Sequence, residues 1–511
     1  MCGILYYHGD DDDILKYLKN ILHRGPDYTD YICNGQHFFG FNRLMINGMN
    51  SKSNQPFCID DTILIANGEI FNWKQLLSEN PEFNYKSDSD CEIILHMYNK
   101  YGIDKTIKSL DGEFAFVLYD VLDDELYIGR DHLGIRGLFF GKSGDEIMVG
   151  SELKSIKPDL FTQQFPPGHY YCNGKFIKYT DKYKIVDNDY GYIKKQLNTL
   201  FIKSVEKRLM SERPIACLLS GGLDSTIVCA IVKNLYSKPL NTYSIGIKGS
   251  TDLKYAKLAS EYLDTNHTSI ELSEKEFIDA IDETIYMIES YDTTTVRASV
   301  GNYLISKYIK NNTTDTVLFC GDVSDELFGS YRGFMKAPTD ELFIKENNNM
   351  LQDIHFFDVL RSDRSISGAS LEARVPFSDK EFVEFVMSIH PKHKMFNTNK
   401  IEKLVFREAF EGYLPKELLY RKKEAFSDGV SSLERSWFTI IQEYVEHKIS
   451  DKELNDAQHK YTHNSPYDKE SLYYRTIFEK YYKGKGDIIP YFWRHPFCTE
   501  IDPSARKLDC Y

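Results

Sequence analysis

The sequence predicts two fold classes in one chain: a sheet-rich α+β domain, followed by an α/β doubly wound domain with a parallel sheet and a helical C-terminal part. Its 511 residues are enough for about two to three domains at roughly 150 residues each. Short β-type runs dominate up to about Lys184, and the hydrophobic period becomes helical from about Tyr192. An apolar strand, a glycine turn and a helix then follow one another, as at the start of a nucleotide-binding α/β unit.

The N-terminal domain is predicted from short strands between turn signals, at residues 37–46, 62–66, 113–120, 125–129, 147–150 and 169–171. One clear helix, at residues 90–100, interrupts these strands. Residues 187–191 are polar and turn-prone, which is typical of a linker. We therefore expect a first domain at residues 1–185 and a second domain at residues 192–511.

The second domain is predicted to begin with a helix at residues 193–210 and a strand at residues 215–219. These lead into Gly221-Gly222 and a helical run that ends at Leu235. Strands at residues 241–247 and 316–320 continue the alternation. Beyond Asn347 the pattern is mainly helical, and the aromatic, proline-containing end at residues 488–511 is irregular.

The charge balance favours small-molecule ligands over nucleic acid. The net charge is -14 and the isoelectric point is near 5.5, whereas sequence-independent nucleic-acid binding needs clustered lysine and arginine side chains facing phosphates. No stretch approaches the ~18 apolar residues of a membrane span. The cysteines are scattered without a CxxC pair or the Cys/His spacing of a zinc site, which fits a reduced, cytoplasmic compartment.

Cys2 is a candidate N-terminal nucleophile. Removal of Met1 ahead of so small a residue would leave the thiol on the same residue as a free α-amine. With an ordinary pKa near 8, roughly a quarter of that amine is unprotonated near pH 7.4 and can act as a general base. In an arbitrary protein, a cysteine at position 2 is otherwise incidental.

Groups that glutamine hydrolysis requires follow at suitable places. Asn67-Gly68-Glu69 comes after the apolar strand at residues 62–66, where a side-chain amide and a glycine N–H can stabilise an oxyanion. Arg43 ends a β-type run and can hold an α-carboxylate with two hydrogen bonds. Glu69 and Asp90 can neutralise an α-ammonium. Taken singly, Arg43 can instead be a surface charge and Asp90 a helix N-cap.

These residues carry a family resemblance. The N-terminal part resembles the class II, or N-terminal nucleophile (Ntn), glutamine amidotransferases in MCGI (1–4), HRGPD (23–27), NRL (42–44), NGE (67–69), SDCE (89–92), DGEFAF (111–116) and GRDHLG (129–134). The resemblance implies an Ntn-hydrolase-type sandwich, with Cys2 as the nucleophile and Asn67 and Gly68 in the oxyanion hole. It implies that the residues around glutamine, besides Asn67 and Gly68, are Arg43, Leu44, Met45, Ile46, Asn47, Glu69 and Asp90.

The segment LLSGGLDS (218–225) follows a strand and opens a helix. Its glycines and backbone N–H groups can wrap a pyrophosphate at the positive end of the helix. Because the segment lacks the Gly-Lys-Ser/Thr of a Walker A loop, it indicates adenylation with pyrophosphate release rather than γ-phosphoryl transfer. A bare glycine turn would be structural, but SGGLDS is the signature of the ATP-pyrophosphatase group.

A Mg²⁺ ion that bridges phosphates needs carboxylates, and Asp224 and Asp325 can supply them because each follows a predicted strand. Lys423 can meet phosphate charge as a point cation. Both features have plainer alternatives. Asp-rich turns after strands are commonly helix caps, and the basic cluster at residues 421–423 can be a solvated turn.

Nearly the full chain resembles the glutamine-hydrolysing asparagine synthetase family, with further matches at YD (291–292), TTVRAS (294–299), EARVPF (372–377) and DPSAR (502–506). The resemblance implies that ATP converts the aspartate side chain to β-aspartyl-AMP, and that ammonia arriving through an internal tunnel displaces AMP. It also implies a homodimer. The implied ATP and pyrophosphate contacts are Leu218, Ser220, Gly221, Gly222, Asp224, Ser225, Ile245, Cys320, Gly321 and Lys423. Asp292 and Arg297 are implied to contact aspartate or the intermediate.

One departure from the family pattern concerns Asp322-Val323, which stands where the family usually shows Glu-Gly. That glutamate is implicated in forming or aminating the acyl-adenylate, so Asp322 is a candidate catalytic residue. Aspartate keeps the charge but retracts it by one methylene, on the order of an ångström, and a misplacement on that scale can cost about 10²-fold in rate.

Two alternatives accompany the leading interpretation: a related synthetase that amidates another carboxylate or closes a ring, and a catalytically weakened binding protein. Cys2 with Asn67-Gly68 argues against the ring-closing relatives, which tend to lack the nucleophilic cysteine. The SGGLDS loop argues against amidotransferases with sugar-phosphate or phosphoribosyl chemistry, because these have no use for it. Asp322 alone motivates the weakened binding protein.

Overall fold

The structure is a computed structural model that describes residues 1–397, 400–424, 426–432 and 434–499. The chain divides into two compact units. The first unit comprises Met1–Lys182, Met210–Pro214 and Ile366–Ala373. The second comprises Tyr183–Leu209, Ile215–Ser365 and the described residues from Arg374 onward. The matched segment at residues 502–506 lies outside the described residues.

The first unit contains twelve strands and three α-helices. The strands are β1 (Gly3–His8), β2 (Tyr28–Asn34), β3 (His37–Arg43), β4 (Phe57–Ile59), β5 (Thr62–Ile70), β6 (Gly112–Asp120), β7 (Glu125–Arg130), β8 (Phe139–Ser143), β9 (Glu146–Gly150), β10 (Phe161–Gln164), β11 (His169–Cys172) and β12 (Lys175–Lys178). The helices are α1 (Leu15–Lys19), α2 (Trp73–Glu79) and α3 (Ile93–Ser109).

The strands form two antiparallel six-stranded sheets, in the orders β10-β8-β9-β1-β3-β2 and β12-β11-β7-β6-β5-β4. Side chains alternate between the two faces of a strand, and β5 uses both faces. Ile63 and Ile65 pack in a cluster with residues of both sheets, whereas Leu64 and Ala66 pack against residues of α3. The result is a two-sheet sandwich with a helix on one outer face, which confirms the predicted α+β sandwich.

The structure confirms the predicted strands of this unit but corrects several details. Asn67-Gly68-Glu69 lies inside β5 rather than after it, because the ladder with β6 continues to Ile70. The helix predicted at residues 90–100 begins with a 3-10 turn, Asp90–Glu92, and continues past a break at Gly102. It is not the only helix, since α1 and α2 are also present. The strand β1 was missed because no turn signal precedes it.

The rest of the chain contains five strands and seventeen α-helices within the described residues; of these, the end of α12 and the first two residues of β17 belong to the first unit. The strands are β13 (Ile215–Leu218), β14 (Asn241–Ile247), β15 (Asn266–Leu272), β16 (Val317–Phe319) and β17 (Glu372–Arg374). The helices before β17 are α4 (Tyr190–Lys207), α5 (Leu223–Leu235), α6 (Thr251–Leu263), α7 (Glu274–Asp279), α8 (Ile281–Ile288), α9 (Thr293–Asn312), α10 (Ser324–Phe328), α11 (Asp340–Asp353) and α12 (Asp358–Ser367). Those after it are α13 (Lys380–Ser388), α14 (Pro391–Lys394), α15 (Leu404–Ala409), α16 (Lys416–Leu419), α17 (Phe426–Gly429), α18 (Trp437–Glu446), α19 (Asp451–Lys460) and α20 (Lys469–Tyr481).

The sheet of the second unit has the order β15-β14-β13-β16-β17, and its first four strands run parallel. This confirms the predicted α/β fold with a parallel sheet and a mainly helical C-terminal part. The strand β15 was missed because its segment, NHTSIEL, is largely polar. Since β13 and β16 are neighbours, the segments that follow them, with Asp224 and Asp325, meet at one edge of the sheet. No helix in the described part of the chain is long and apolar enough to cross a membrane.

A buried lysine in the second unit makes stability depend on pH. The Lys394 ammonium donates to the Asn347 side chain at 2.8 Å and is 5% exposed, and burial lowers the pKa of Lys394 to about 7. Between pH 7 and about 10.5 the unfolded chain therefore binds more protons than the folded chain, so stability rises with pH in this window. The contribution is at most about 1.4 kcal/mol per pH unit.

We expect Lys394→Met to raise the free energy of unfolding near pH 7, and this advantage to shrink as the pH approaches 10, because the wild-type penalty is then relieved. Denaturant unfolding at pH 7, 8 and 9 measures the difference. The half-exposed Lys392, changed to Met, is the control and should show no such trend. A pH-independent difference between Lys394→Met and the wild type would contradict the buried-lysine explanation.

Candidate active sites

A cavity of about 30 Å³ in the first unit collects most residues predicted to surround glutamine. These are Cys2, Arg43, Leu44, Ile46, Asn47, Gly68, Glu69 and Asp90. Met45 and Asn67 are not among the described residues that line it. The Met45 N–H donates to Asp27 at 2.9 Å, and its carbonyl accepts from Arg213. Glu372 also lines this cavity, which thus brings together residues from both ends of a 371-residue stretch, Cys2 to Glu372.

Cys2 is held at this cavity by three contacts. Its thiol lies 3.9 Å from the Leu44 carbonyl oxygen, and its N–H donates to Asn67 Oδ1 at 2.8 Å. Arg24, which is fully buried, donates from Nε to the Cys2 carbonyl at 3.0 Å. Arg24 was not predicted as a site residue, although it belongs to the matched segment HRGPD. It fixes the backbone on which the nucleophile sits.

The thiol needs a base to become a nucleophile. Burial raises the pKa of Cys2, and the N-terminal ammonium, the Leu44 hydrogen bond and Arg43 oppose that shift without cancelling it. With Met1 present, its ammonium is buried and donates to Glu372 Oε2 at 2.9 Å. Removal of Met1 would place a free amine on Cys2 itself, beside the Asn67 side chain.

Asn67 offers a hydrogen-bond donor that nothing in the described part of the chain uses. Its Oδ1 accepts from Cys2, but its Nδ2 is buried and makes no hydrogen bond there. A buried N–H without a partner is costly, and such donors are expected where a ligand completes them. Gly68 follows in the same strand with φ +148°, and a Cβ there would lie 2.1 Å from the Glu113 carbonyl oxygen. The pair has the form of an oxyanion hole.

The charged residues of the cavity are neither surface charges nor caps. Arg43 is 4% exposed and donates to the carbonyls of Asn47, Gly48 and Asn50, which shapes the loop that borders the cavity. Asp90 is also buried and accepts from the Ile70 N–H at 2.6 Å, while Ser89 caps the following turn. The two plainer alternatives are therefore wrong.

We expect Asn67→Asp to lower the kcat of glutamine hydrolysis by about 10²-fold or more, with little change in the KM for glutamine. The substitution keeps the oxygen that accepts from Cys2 but removes the Nδ2 donor and adds negative charge beside the oxyanion. Glutamate release measures the effect. Asn20→Asp, at an asparagine that donates to the Lys154 carbonyl, is the matched control. Equal losses in both variants would contradict the assignment.

A second cavity, of about 200 Å³, lies in the second unit at the ends of β13 and β16. Ten residues predicted from the sequence line it: Leu218, Ser220, Gly222, Asp224, Ser225, Ile245, Cys320, Gly321, Asp322 and Asp325. Both polar and apolar side chains line it, which suits a ligand with both a flat base and phosphates.

The glycine turn at this cavity can only be built with glycine. Gly221 has φ +70°, and a Cβ there would lie 2.3 Å from the carbonyl carbon of Tyr255. The turn is tied by Ser220 Oγ, which lies 3.0 Å from Ser225 Oγ. Arg421 holds it from outside, since Nη1 donates to the Ser220 carbonyl at 3.3 Å and the guanidinium stacks on the Tyr255 ring. The N-terminus of α5 is thereby aimed at the cavity.

Asp224 and Asp325 converge on one lysine that was not predicted. Lys403 Nζ lies 2.7 Å from Asp224 Oδ2 and 2.6 Å from Asp325 Oδ1, and Lys423 Nζ lies 2.7 Å from Asp325 Oδ1. Although burial raises it, the pKa of Asp325 is held well below its usual range by Lys403 and Lys423. Two carboxylates within reach of one cation fit Mg²⁺, which is usually bound by one or two carboxylates together with substrate phosphates. The described residues contain no cluster of three metal-binding side chains, so a dedicated protein cage is not what this site offers.

The predicted basic cluster is not a solvated turn. Arg421 is 7% exposed and pairs with Asp252 at 2.9 Å, and Lys423 lies over the Tyr331 ring. With Lys403 these cations line a small cavity that adjoins the glycine turn through Gly222 and Asp224. No sequence spacing pointed to Lys403, which lies far from the glycine turn along the chain.

The remaining wall of the large cavity is a network rich in acidic side chains. Of its residues, the sequence predicted only Asp322. Arg361 Nη2 donates to Asp322 Oδ1 at 2.8 Å and to Asp358 Oδ1 at 2.8 Å. The Tyr331 hydroxyl lies 2.9 Å from Asp358 Oδ2 and also contacts Glu326, and its single proton can serve only one of the two carboxyl groups. Burial and Asp358 raise the pKa of Glu326 well above its usual range. The wall thus carries a carboxyl whose protonation is favoured by burial and by its acidic neighbour, in a network that includes Arg361.

Asp292 and Arg297 are not among the described residues that line the cavity. Asp292 caps α9 by accepting from the Thr295 N–H at 2.9 Å and also accepts from the Trp493 N–H at 2.8 Å. Burial raises the pKa of Asp292 to about 6. Arg297 is 3% exposed and pairs with Glu470 through Nε and Nη2. Both polar groups are engaged in contacts around α9, and their contact with aspartate or the intermediate stays a prediction.

Comparisons with known proteins agree with both sites. The family described as a glutamine amidotransferase domain matches residues 1–168, and the family described as asparagine synthase matches residues 196–346 and 338–498. The protein "asparagine synthetase (glutamine-hydrolyzing)" of Mus musculus is 42% identical over 569 aligned residues, which cover 100% of this chain and 99% of that protein. Its counterparts in Homo sapiens and Gallus gallus are 41% and 40% identical with the same coverage. The chain belongs to the glutamine-hydrolysing asparagine synthetase family.

Proposed function

We propose that this chain makes asparagine from aspartate and ATP, with ammonia that its N-terminal part releases from glutamine, and that AMP, pyrophosphate and glutamate are the other products. One observation carries the proposal: each unit holds a cavity with the groups for one half-reaction. We assign the glutaminase to residues 1–185 and the synthetase to residues 192–511.

The glutaminase half follows from the contacts of Cys2. Its amine, once Met1 is removed, takes the thiol proton, and the thiolate attacks the side-chain carbonyl of glutamine. Asn67 Nδ2 and the Gly68 N–H then face the oxyanion, and ammonia leaves before water releases glutamate. Arg43, Glu69 and Asp90 hold the α-carboxylate and α-ammonium.

The synthetase half follows from the second cavity. The ATP phosphates lie on the glycine turn, and the aspartate side chain attacks the α-phosphorus so that pyrophosphate leaves. Lys403 and Lys423 face the phosphate charge from the adjoining cavity. Bound Mg²⁺, held by Asp224 and Asp325, would neutralise further phosphate charge. Ammonia then attacks the acyl carbon and AMP leaves.

We further propose that the enzyme is cytoplasmic and forms a homodimer. The scattered cysteines support the first point, since the nine cysteines in the described part of the chain are all thiols. Only the family resemblance supports the second. Light scattering after size-exclusion chromatography tests the dimer, and fractionation of cells that express the tagged chain tests the location.

The decisive experiment is an assay of the purified protein with glutamine, aspartate, ATP and Mg²⁺. We expect AMP and asparagine in equal amounts, and neither product without aspartate. Pyrophosphate release with another carboxylate, and little with aspartate, would indicate a related synthetase. Tight binding of ATP and aspartate without turnover would indicate a binding protein and overturn the proposal.

A further inference from the structure

The Asp322 carboxylate is anchored at both of its oxygens by neighbouring residues of one helix, α12. Arg361 Nη2 donates to Oδ1 at 2.8 Å, and the Ser362 hydroxyl donates to Oδ2. The Asp322 side chain is still 16% exposed and lines the large cavity. Both anchors leave the carboxylate facing the space where the ligands bind.

Arg361 cannot follow a displaced carboxylate, because it is itself fixed. Its Nε and Nη2 both donate to Asp358 Oδ1, at 3.1 and 2.8 Å, and Asp358 Oδ2 accepts from Tyr331. Ser362 is the adjustable anchor, since its hydroxyl has an alternative acceptor in the Asp358 carbonyl at 3.1 Å. The position of Asp322 therefore depends on whether the Ser362 hydroxyl donates to the carboxylate or to the Asp358 carbonyl. The bond to the carboxylate is favoured because its acceptor is charged.

The backbone fixes Asp322 from the other side. Val323, the next residue, is 1% exposed and adopts φ +78°, in the left-handed region that a β-branched side chain rarely enters. Such a conformation persists only where the surroundings determine it, and here it turns the chain from β16 into α10. Asp322 is thus held between a strained turn and α12.

We propose that Ser362 is a positioning residue for the amination step. Its hydroxyl holds the short Asp322 carboxylate at the place that the longer glutamate of the family would reach without such help. The inference rests on the proposed function. As the ammonia nitrogen bonds to the acyl carbon, the bond to AMP breaks with its electron pair on the phosphate oxygen. The extra proton on nitrogen passes to the Asp322 carboxylate.

The test is a pair of single variants and their combination, assayed with ammonia instead of glutamine. Ser362→Ala should lower the kcat for asparagine about 10- to 100-fold, the cost of a misplacement near 1 Å, with the KM for ATP unchanged. Adding Asp322→Glu to Ser362→Ala should restore most of that loss, because the longer side chain enters the space that the hydroxyl left. Asp322→Glu alone should not improve the enzyme.

Ser365→Ala is the matched control on the same helix. The Ser365 hydroxyl is buried and donates to the Arg361 carbonyl at 2.6 Å, so its loss tests a structural role without touching Asp322. Ser365→Ala should leave kcat within about twofold of the wild-type value. The Tm of Ser365→Ala and of Ser362→Ala is measured alongside, so that a loss of stability is told apart from a loss of positioning. Ser362→Cys, nearly the same size but a weak donor, should give an intermediate loss if Ser362→Ala does not fold.

Two results would overturn the inference: full activity in Ser362→Ala, or a double variant no faster than Ser362→Ala. Failure of the proposed function looks different, because the wild-type protein would then form no asparagine from ammonia at all.

Discussion

Replacing Cys2 with alanine is expected to lower glutamine-dependent asparagine formation by at least about 10³-fold, while ammonia-dependent formation stays close to that of the wild type. Removal of a nucleophile leaves only the binding and oxyanion contributions to catalysis. The second cavity is lined entirely by residues of the second unit, so the chemistry of AMP formation does not need the thiol. Asparagine and glutamate are measured with each nitrogen source in turn.

Cys91→Ala provides the matched control for Cys2→Ala. Cys91 lines the same small cavity and its buried thiol contacts the Gly68 carbonyl oxygen at 3.6 Å, but no step is assigned to it. This variant should keep glutamine-dependent activity within about an order of magnitude. Equal loss of the glutamine and ammonia reactions in Cys2→Ala would contradict the division of labour between the two sites.

The parts of the fold that the sequence predicts are those with a strong local signal. Apolar strands such as β6, and the strand, glycine turn and helix around Gly221, combine a hydrophobic pattern with turn chemistry. The polar strand β15 and the short helices α1 and α2 lack such a signal. They form because neighbouring strands and helices offer partners, which is tertiary information.

The candidate sites divide in the same way. Residues within a contiguous motif, such as Gly68 beside Glu69 or Asp224 beside Ser225, were predicted and line a cavity. Lys403 and Arg361 were not predicted, because the turn before α15 that holds Lys403 and the helix α12 that holds Arg361 carry no motif of their own. Arg297 belongs to a motif and forms a buried pair with Glu470, which no sequence spacing pointed to. Its predicted contact with a substrate stays a prediction.

Lys403→Met is expected to lower the free energy of unfolding by about 2–3 kcal/mol. The Lys403 side chain is 2% exposed and pairs with both Asp224 and Asp325, so its loss leaves Asp224 without its lysine and Asp325 with Lys423 alone. Breaking a fully buried pair costs about 3–5 kcal/mol, and the figure here is smaller because both carboxylates are about a quarter exposed. Denaturant unfolding without Mg²⁺ measures it, and Lys307→Met, at a half-exposed pair with Glu283, should cost under about 1 kcal/mol.

Added Mg²⁺ should restore stability to Lys403→Met more than it stabilises the wild type. A divalent cation between Asp224 and Asp325 would replace the missing ammonium, whereas in the wild type it has to compete with Lys403. The midpoint of unfolding is compared with and without Mg²⁺ for both proteins, with Ca²⁺ as a second cation. If Mg²⁺ raised the unfolding midpoint of both proteins equally, Asp224 and Asp325 would not form the metal site. That result would leave the structural role of Lys403 between them unaffected.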